Sequence, residues 1–316
     1  MSADVGGTHA RLALVQVDGG GMVSILQSRE YACAAYPGLA SILRDFAQVG
    51  GAAPDHAVVA IAGLADDDDW INTNLPWPVS ISRTRDAAGL AGLVLVNDFE
   101  AMACAIPHID RGAMLRICGP DTHDAGTPSL VLGPGTGLGA ALWLPSPRAT
   151  VLATEVGHAA LAAGTPRELD LVRVLLERWP HVDNERVLSG PGLLNTYVAL
   201  CALDGTTPRL HTPADIVAAR SGDDAQAVEA LQLFCAMLGS LAGDLALIFG
   251  AGAVYLAGGI PSRIREFLVA SDFAARFHNK GLLGAMLSRV PVWVVEHGQL
   301  GLVGAAAWYA ATQDAE

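Results

Sequence analysis

The sequence has few charged residues, and fewer positive than negative ones. Of its 316 residues 16% are charged, and 19 Lys and Arg face 32 Asp and Glu, so the net charge is −13. A chain this acidic repels polyanions, which excludes nucleic acid as a partner. A phosphate-bearing ligand would need a metal ion and local backbone N–H donors to hold it. We therefore expect a small ligand.

Cysteine is scarce and histidine is scattered. The five cysteines stand singly, with no C-x-x-C pair and an odd total, which is typical of reduced thiols in a cytoplasmic protein. We interpret each as a small buried hydrophobic side chain. The nearest histidines, His108 and His123, are 123 − 108 = 15 positions apart. This spacing excludes a helical His pair or a His/Cys cluster as a structural zinc site.

Unbroken hydrophobic runs are also absent. The N-terminus carries Asp4 where a signal peptide would need basic residues before a long apolar run. Two uncharged stretches, 125–147 and 245–262, reach the length of a membrane span, but prolines or glycines interrupt both. Short buried strands and turns tolerate such residues. We therefore expect a soluble cytoplasmic protein with no membrane partner.

Apolar side chains are abundant, at 52% of the chain. Residues 57–62 and 93–96 are apolar runs typical of buried strands, while 38–46 and 99–106 carry apolar residues at helix spacing. Strands that alternate with helices indicate a twisted α/β sheet. The length suggests two domains, and the loop-rich segment 118–129 is the best candidate for their boundary.

One local pattern occurs twice. Residues 5–17 form a glycine turn followed by an alternating strand, and residues 130–144 form a strand, a glycine turn and a second strand. This recurrence predicts two halves built on one plan, with the glycine turns facing each other across a cleft. Glycines at such turns let backbone N–H groups approach an anion closely.

The second glycine turn has a competing interpretation. Residues 135–140 satisfy the dinucleotide-binding pattern G-x-G-x-x-[GA], and Glu155 lies 155 − 135 = 20 positions after Gly135, so an NAD-dependent dehydrogenase is a candidate. A Rossmann glycine loop must open a helix, however. Here Pro145 and Pro147 stop the following segment within two helical turns, which favours a strand and a phosphate-binding hairpin.

Asn97 and Asp98 end a buried strand and begin a helix. Active groups of open α/β sheets collect at that edge, and an Asp there can orient and deprotonate a substrate hydroxyl. The alternative is a plain helix N-cap, a role that Asn and Asp fill in most proteins.

Other polar and glycine residues have a functional and a structural interpretation. Glu155, His158 and Glu185 carry groups that bind sugar hydroxyls, and the alternative is exposed glutamates and a satisfied histidine. Gly258 and Gly259, at a strand end before a helix, would let an adenine or ribose lie against the backbone. They could equally form a tight turn.

Together these stretches resemble, in order and spacing, the bacterial ATP-dependent glucokinase family of the actin, sugar kinase and heat-shock chaperone ATPase superfamily. The resemblance covers nearly the whole chain. The related ROK kinases have a Cys-rich zinc motif after E-x-G-H, but no cysteine follows His158 until Cys201. The matching stretches are DVGGTHARLAL (4–14), VNDFEAMACAIP (96–107), LGPGTGLGAAL (132–142), EVGHAAL (155–161), NERVLSGPGLLNTY (184–197), VYLAGGIPSR (254–263) and residues 298–304.

The resemblance implies a two-domain actin-like ATPase (ribonuclease H-like) α/β fold. A small α/β domain would comprise residues 1–110 and 301–316, a larger α+β domain residues 111–300, and a cleft would lie between them. Members of the family are usually cytoplasmic homodimers. The implied activity is transfer of the γ-phosphoryl group of ATP to the 6-hydroxyl of glucose in glycolysis, with Mg²⁺.

The resemblance also implies roles for individual residues. Asp98 matches the general base that takes the proton of the 6-hydroxyl. The other sugar-binding positions are Asn97, Glu155, His158 and Glu185. Those of the first phosphate motif are Asp4, Gly6, Gly7 and Thr8, with Asp4 directed towards Mg²⁺ through water. Those of the second phosphate motif are Gly135, Thr136 and Gly137, and those of the adenosine motif are Gly258 and Gly259.

Three departures from the family pattern stand out. His9 replaces the usual Asn beside the first phosphate turn, only three residues precede Asp4, and Val156 replaces the second residue of the usual Glu-Gly-Gly. None removes a catalytic group. They leave open two alternatives to a glucokinase: a catalytically impaired sugar-sensing protein on the same scaffold, and a kinase for another hexose.

Overall fold

The computed structural model describes residues 1–19, 21–49, 54–72, 75–110, 112, 114–145, 149–222, 224–295 and 297–313. The chain forms two compact units, the first comprising Met1–Arg111 and Gly298–Glu316 and the second Gly112–His297. Segment 118–129, the expected boundary, lies instead inside the second unit, where it connects two strands of one sheet. The cleft between domains stays a prediction.

The first unit contains a five-stranded sheet in the order β3-β2-β1-β4-β8. The β1–β2 and β2–β3 pairs are antiparallel, whereas β1–β4 and β4–β8 are parallel. The carboxyl ends of β1, β4 and β8 therefore lie at one edge. The strands are β1 (Ser2–Val5), β2 (His9–Val17), β3 (Val23–Ala32), β4 (His56–Ile61) and β8 (Gly92–Val96), and a small separate sheet contains β5 (Leu64–Asp66), β6 (Asp69–Ile71) and β7 (Val79–Ser80).

Side chains along a strand alternate between the two faces of a sheet, so buried residues at successive positions show that both faces are covered. Helices cover both faces of this sheet. Val59 and Ile61 of β4 lie in a core cluster with Ile42. The intervening Val58 and Ala60 lie in a second cluster with the C-terminal helix. The helices are α1 (Leu39–Val49), α2 (Ile81–Ala88), α3 (Asp98–Cys104) and α12 (Leu300–Gln313).

The second unit repeats this plan and adds one strand. Its sheet has the order β12-β11-β10-β13-β14-β9, and the first five strands match those of the first unit in order and direction. β9 pairs antiparallel with β14 at the edge. The predicted duplication of one plan is thus confirmed. The strands are β9 (Met114–Cys118), β10 (Ser129–Pro134), β11 (Leu138–Leu144), β12 (Thr150–Thr154), β13 (Ala253–Leu256) and β14 (Val292–Val295).

The core of the second unit surrounds one long helix, α7. Among the described residues it is the one helix long and apolar enough to cross a membrane, yet 61% of its most apolar window is buried within the protein. Core helices of globular proteins share those properties. The helices are α4 (Pro166–Leu176), α5 (Gly190–Leu203), α6 (Pro213–Ala218), α7 (Ala225–Phe249), α8 (Gly259–Arg263), α9 (Arg265–Ala270), α10 (Phe273–His278) and α11 (Gly284–Leu287).

Candidate active site

The first glycine turn, Gly6 to Thr8, joins β1 to β2 and is exposed. The Gly6 N–H donates to the His9 carbonyl at 2.9 Å, and Thr8 O accepts from the Cys33 N–H at 2.9 Å. A Cβ built on Gly6 would meet its nearest neighbour at 3.6 Å. Packing therefore does not require glycine at Gly6, and its absent side chain leaves the backbone open to an approaching anion. Gly7 lies in this turn, and His9 begins β2.

Asp4 lies on β1, two residues before that turn. Its side chain is 14% exposed, and Arg11 Nη1 lies 3.9 Å from its Oδ2. A Cβ on Gly301 would lie 2.5 Å from Asp4 Cγ, so the carboxylate packs against the first turn of α12. The helix dipole favours a negative charge there. The sequence signal for this contact was the matching stretch 298–304, which was not linked to Asp4.

Asn97 and Asp98 stand at the carboxyl end of β8, at the same sheet edge as the Gly6 turn. Asn97 is the N-cap of α3, and its Oδ1 accepts from the N–H groups of Phe99 at 2.9 Å and Glu100 at 3.3 Å. Its Nδ2 donates to the Gly63 carbonyl at 3.4 Å. The capping interpretation of Asn97 is therefore correct, and the cap holds Asp98 at the first helical position, where its Oδ1 accepts from the Phe99 N–H.

Gly63 also lies at this edge of the sheet, and no sequence pattern identified it as a residue of the candidate site. It follows β4 by two residues and has a φ of 126°, which only glycine adopts readily. A side chain there would also overlap the Ile71 carbonyl. Gly258 holds the matching place after β13, with a φ of 91°. A single glycine between apolar residues carries no sequence signal of its own.

The second glycine turn, Gly135 to Gly137, joins β10 to β11. The Gly135 N–H donates to the Gly137 carbonyl at 2.8 Å, and Thr136 is exposed at the tip. The turn leads into strand β11, not into a helix, so the structural requirement of the dinucleotide-binding pattern is not met. The predicted strand–turn–strand hairpin is confirmed, and phosphate binding by its turn stays a prediction.

Glu185 contacts this second turn directly. Its Oε2 accepts a hydrogen bond from the Leu138 N–H at 2.8 Å. The Gly190 N–H, at the start of α5, donates to the Gly135 carbonyl at 2.8 Å. The segment from Glu185 to Gly190 is therefore bonded to both sides of the turn, a contact that the sequence did not reveal.

A short 3-10 turn, Val156–His158, follows β12; Glu155 directly precedes it and His158 is its last residue. Asn184, next to Glu185, donates from Nδ2 to the Val156 carbonyl at 2.9 Å, and Asp183 Oδ2 lies 3.6 Å from His158 Nδ1. The structure thus ties the segments of all three predicted sugar-binding residues of this unit together. Asp183 and Asn184 are buried and were not identified in the sequence.

Gly258 and Gly259 lie where β13 leads into α8. A Cβ on Gly258 would come within 2.7 Å of the Pro134 carbonyl, so this glycine lies against the strand that leads into the second turn. Gly259 has open space around it. Because β10 and β13 are parallel, Gly135 and Gly258 follow strands that end at the same sheet edge.

In the part of the chain that the structure describes, the predicted site residues form no metal cage and do not line the cavity of the first unit. Within the described residues there is no group of three His, Cys, Asp or Glu side chains that could hold a metal ion. A cavity of about 460 Å³ in the first unit lies at the amino ends of β1 and β4, the opposite edge from Asp98, and its lining includes Met1, His56 and Tyr309. Its lining contains no predicted site residue.

Two sheets of matching order, each with a glycine turn on its antiparallel hairpin, form the duplicated actin-like ATPase fold, and the likeness to a solved glucokinase makes the chain a sugar kinase of that fold. The chain matches the family model described as Glucokinase over residues 1–312. It belongs to the glucokinase family.

Named relatives and a solved structure agree with this membership. The "Glucokinase-like protein" of Xylella fastidiosa (strain 9a5c) is 48% identical, over 98% of this chain and 94% of its own length. The "Glucokinase" of Paramagnetospirillum magneticum is 41% identical, over 96% of this chain and 95% of its own. The crystal structure of glucokinase from an Antarctic psychrotroph has a TM-score of 0.86 at 35% identity, covering 97% of both chains.

Proposed function

We propose that the protein transfers the γ-phosphoryl group of ATP to the 6-hydroxyl of glucose, giving glucose 6-phosphate and ADP. The observation that carries the proposal is the position of Asp98. It is the first residue of α3, held by the Asn97 cap at the carboxyl end of a parallel strand. Functional groups of α/β proteins gather at that edge, which Asp98 shares with the first glycine turn.

In the proposed reaction Asp98 accepts the proton of the sugar 6-hydroxyl. The hydroxyl oxygen forms a bond to the γ-phosphorus while the bond from that phosphorus to the bridging oxygen breaks, so ADP leaves with the electron pair. Phosphoryl transfer needs little covalent participation by protein, and positioning and charge neutralisation supply most of the rate. A carboxylate aimed at the hydroxyl supplies the proton acceptor.

We assign the remaining sugar hydroxyls to Asn97, Glu155, His158 and Glu185. A carboxylate accepts from two hydroxyls, whereas an amide nitrogen donates and an imidazole can do either. The hydrogen bonds of Asn184 and the Asp183–His158 pair support this assignment, since they hold the Glu155 to His158 segment beside Glu185. Side chains that are held in place before the sugar arrives lose less conformational entropy when the sugar binds.

We assign the triphosphate of ATP to the two glycine turns, with Gly6, Gly7 and Thr8 in one and Gly135, Thr136 and Gly137 in the other. Gly258 and Gly259 would border the adenosine. Asp4 fits a role towards Mg²⁺, because this ion usually keeps its waters and takes one or two carboxylates plus substrate phosphates instead of a full protein cage. Bound there, Mg²⁺ would neutralise phosphate charge.

A panel of hexoses with ATP and Mg²⁺, monitored by ADP release, tests the proposal. We expect glucose to give the highest kcat/KM and to yield glucose 6-phosphate. Turnover with a different hexose only would replace glucose as the substrate. Glucose binding in calorimetry without ADP release would favour the impaired, sugar-sensing alternative. From the resemblance we further propose that the protein is a cytoplasmic homodimer. Light scattering measures its molar mass in solution and so tests the homodimer.

A further inference from the structure

We infer that Gly137 is a glycine because the Glu185 carboxylate occupies the space of its missing side chain, and that this contact couples sugar binding to the second phosphate turn. The inference rests on the proposed function, in which Glu185 binds the sugar. It gives Gly137 a positioning role on the sugar side of the reaction. A phosphate-turn glycine would otherwise be expected to affect the nucleotide alone.

The distances around Gly137 carry the inference. A Cβ built on Gly137 would lie 2.5 Å from Glu185 Oε2, closer than non-bonded carbon and oxygen atoms approach, and 3.3 Å from Glu185 Cδ, a tight contact. The φ of Gly137 lies outside the left-handed region. Backbone conformation therefore does not demand glycine at this position, but the Glu185 carboxylate can hold its observed position only while residue 137 has no side chain.

Gly135, in the same turn, provides the contrast. A Cβ on Gly135 would have no atom within 4 Å, and its φ is also outside the left-handed region. The two glycines of one turn thus differ in what surrounds them. Gly135 presents open backbone, whereas Gly137 presents the surface on which Glu185 rests.

The hydrogen bond of Glu185 explains why the contact matters. Its Oε2 accepts from the Leu138 N–H at 2.8 Å, and among the residues that the structure describes its carboxylate has no second hydrogen-bond partner. Oε2 is therefore hydrogen-bonded to the turn, and Oε1 is the oxygen that would accept a hydrogen bond from a sugar hydroxyl. A bond to a charged acceptor is strong enough to fix the orientation of the whole carboxylate.

Because of this hydrogen bond, the position of the Glu185 carboxylate depends on the position of the second glycine turn. A phosphate bound by the turn orders the Leu138 N–H, and that N–H orders Glu185. Because coupling between two ligands is reciprocal, glucose on Glu185 must favour nucleotide on the turn by the same factor. We expect ADP to tighten glucose binding in the wild-type protein.

Gly137→Ala, with Gly135→Ala as the matched control, tests the inference. The added methyl of Gly137→Ala displaces the carboxylate, so we expect KM for glucose to rise by about tenfold or more, the loss expected of a misplaced charged hydrogen bond. We also expect the effect of ADP on glucose Kd to be lost. Gly135→Ala adds the same methyl in open space and should raise KM for ATP without raising KM for glucose.

A rescue variant keeps the test independent of folding. Glu185→Asp shortens the side chain by one methylene and makes room for the methyl group. In Gly137→Ala/Glu185→Asp, KM for glucose should be no higher than in Glu185→Asp alone, and thermal denaturation should show each variant folded. If Gly137→Ala raises KM for ATP and leaves KM for glucose unchanged, or if the two substitutions are additive, the inference is wrong.

The same experiments separate this inference from the proposed function. If the wild-type protein releases no ADP with any hexose, the proposed function is wrong. Wild-type protein that phosphorylates glucose, together with a Gly137→Ala variant of normal KM for glucose, defeats only the coupling through Glu185.

Discussion

The Glu168 carboxylate receives two hydrogen bonds from the Arg276 guanidinium, one of them 3.0 Å between Nη2 and Oε2. The Glu168 side chain is 0% exposed and that of Arg276 is 14% exposed. Burial raises the pKa of Glu168, but the hydrogen bonds from Arg276 and from the Gly164 N–H outweigh it, and the pKa is lowered overall. The pair joins α4 to α10 inside the second unit.

Glu168→Gln should therefore destabilise the second unit strongly. Removing one partner leaves the Arg276 charge buried without compensation, which lowers the free energy of unfolding by about 3–5 kcal/mol. Urea denaturation measures this loss. Glu177→Gln, an exposed position at the end of the same helix, is the control and should change stability by less than about 0.5 kcal/mol. Equal effects of the two variants would show that the ion pair is not what stabilises this unit.

Gly304→Ala should disturb the helix that carries Asp98. A methyl at Gly304 would overlap the Ala101 carbonyl, because α12 packs closely against α3. We expect a loss of about 1–3 kcal/mol of stability from overpacking, with a lower kcat because α3 must shift. Gly298→Ala is the matched control, since a Cβ there has no neighbour within 4 Å. Normal kcat and stability for Gly304→Ala would contradict this packing.

The local parts of the fold could be predicted, because their signals lie within a few residues. The two hairpins with glycine turns and the strand before Asn97 follow from alternation and turn residues. The pairing of β9 with β14 could not be predicted, since its partners are more than 170 positions apart: for example, Val292 pairs with Cys118, and 292 − 118 = 174. Segment 118–129 therefore looked like a boundary when it is an internal loop.

Several residues of the candidate site could likewise be predicted, whereas the contacts between them could not. The family resemblance supplied Asp98 and Glu185, but no pattern indicated that Glu185 bonds to Leu138 or that Asp4 needs Gly301 beside it. Such contacts join distant segments through one side chain each. A single sequence carries no periodicity that reports them, and only the three-dimensional structure shows them.

Asp98→Asn should separate binding from turnover. The amide keeps the size of the side chain and its acceptor oxygen for the Phe99 N–H but cannot take a proton, so kcat should fall by about 10²–10⁴-fold while glucose Kd changes little. Steady-state kinetics and calorimetry measure the two effects. Asp86→Asn, on the exposed side of α2, is the control and should retain wild-type kcat. Near-normal turnover of Asp98→Asn would remove the general base from the proposal.

Buried thiols should make the protein less stable at alkaline pH. Burial, with a smaller contribution from the Glu100 charge, raises the pKa of Cys104 from 9.0 to about 12, so the folded state holds this proton longer than the unfolded chain does. Stability is then complete below pH 9 and falls as the pH rises towards 12, by about 1.4 kcal/mol per pH unit for one thiol. Cys104→Ser removes this titration, so urea denaturation from pH 7 to 10 should show a steeper decline for wild-type protein than for the variant. Parallel declines would contradict the prediction, because they would mean that the Cys104 thiol has the same pKa in the folded and the unfolded state.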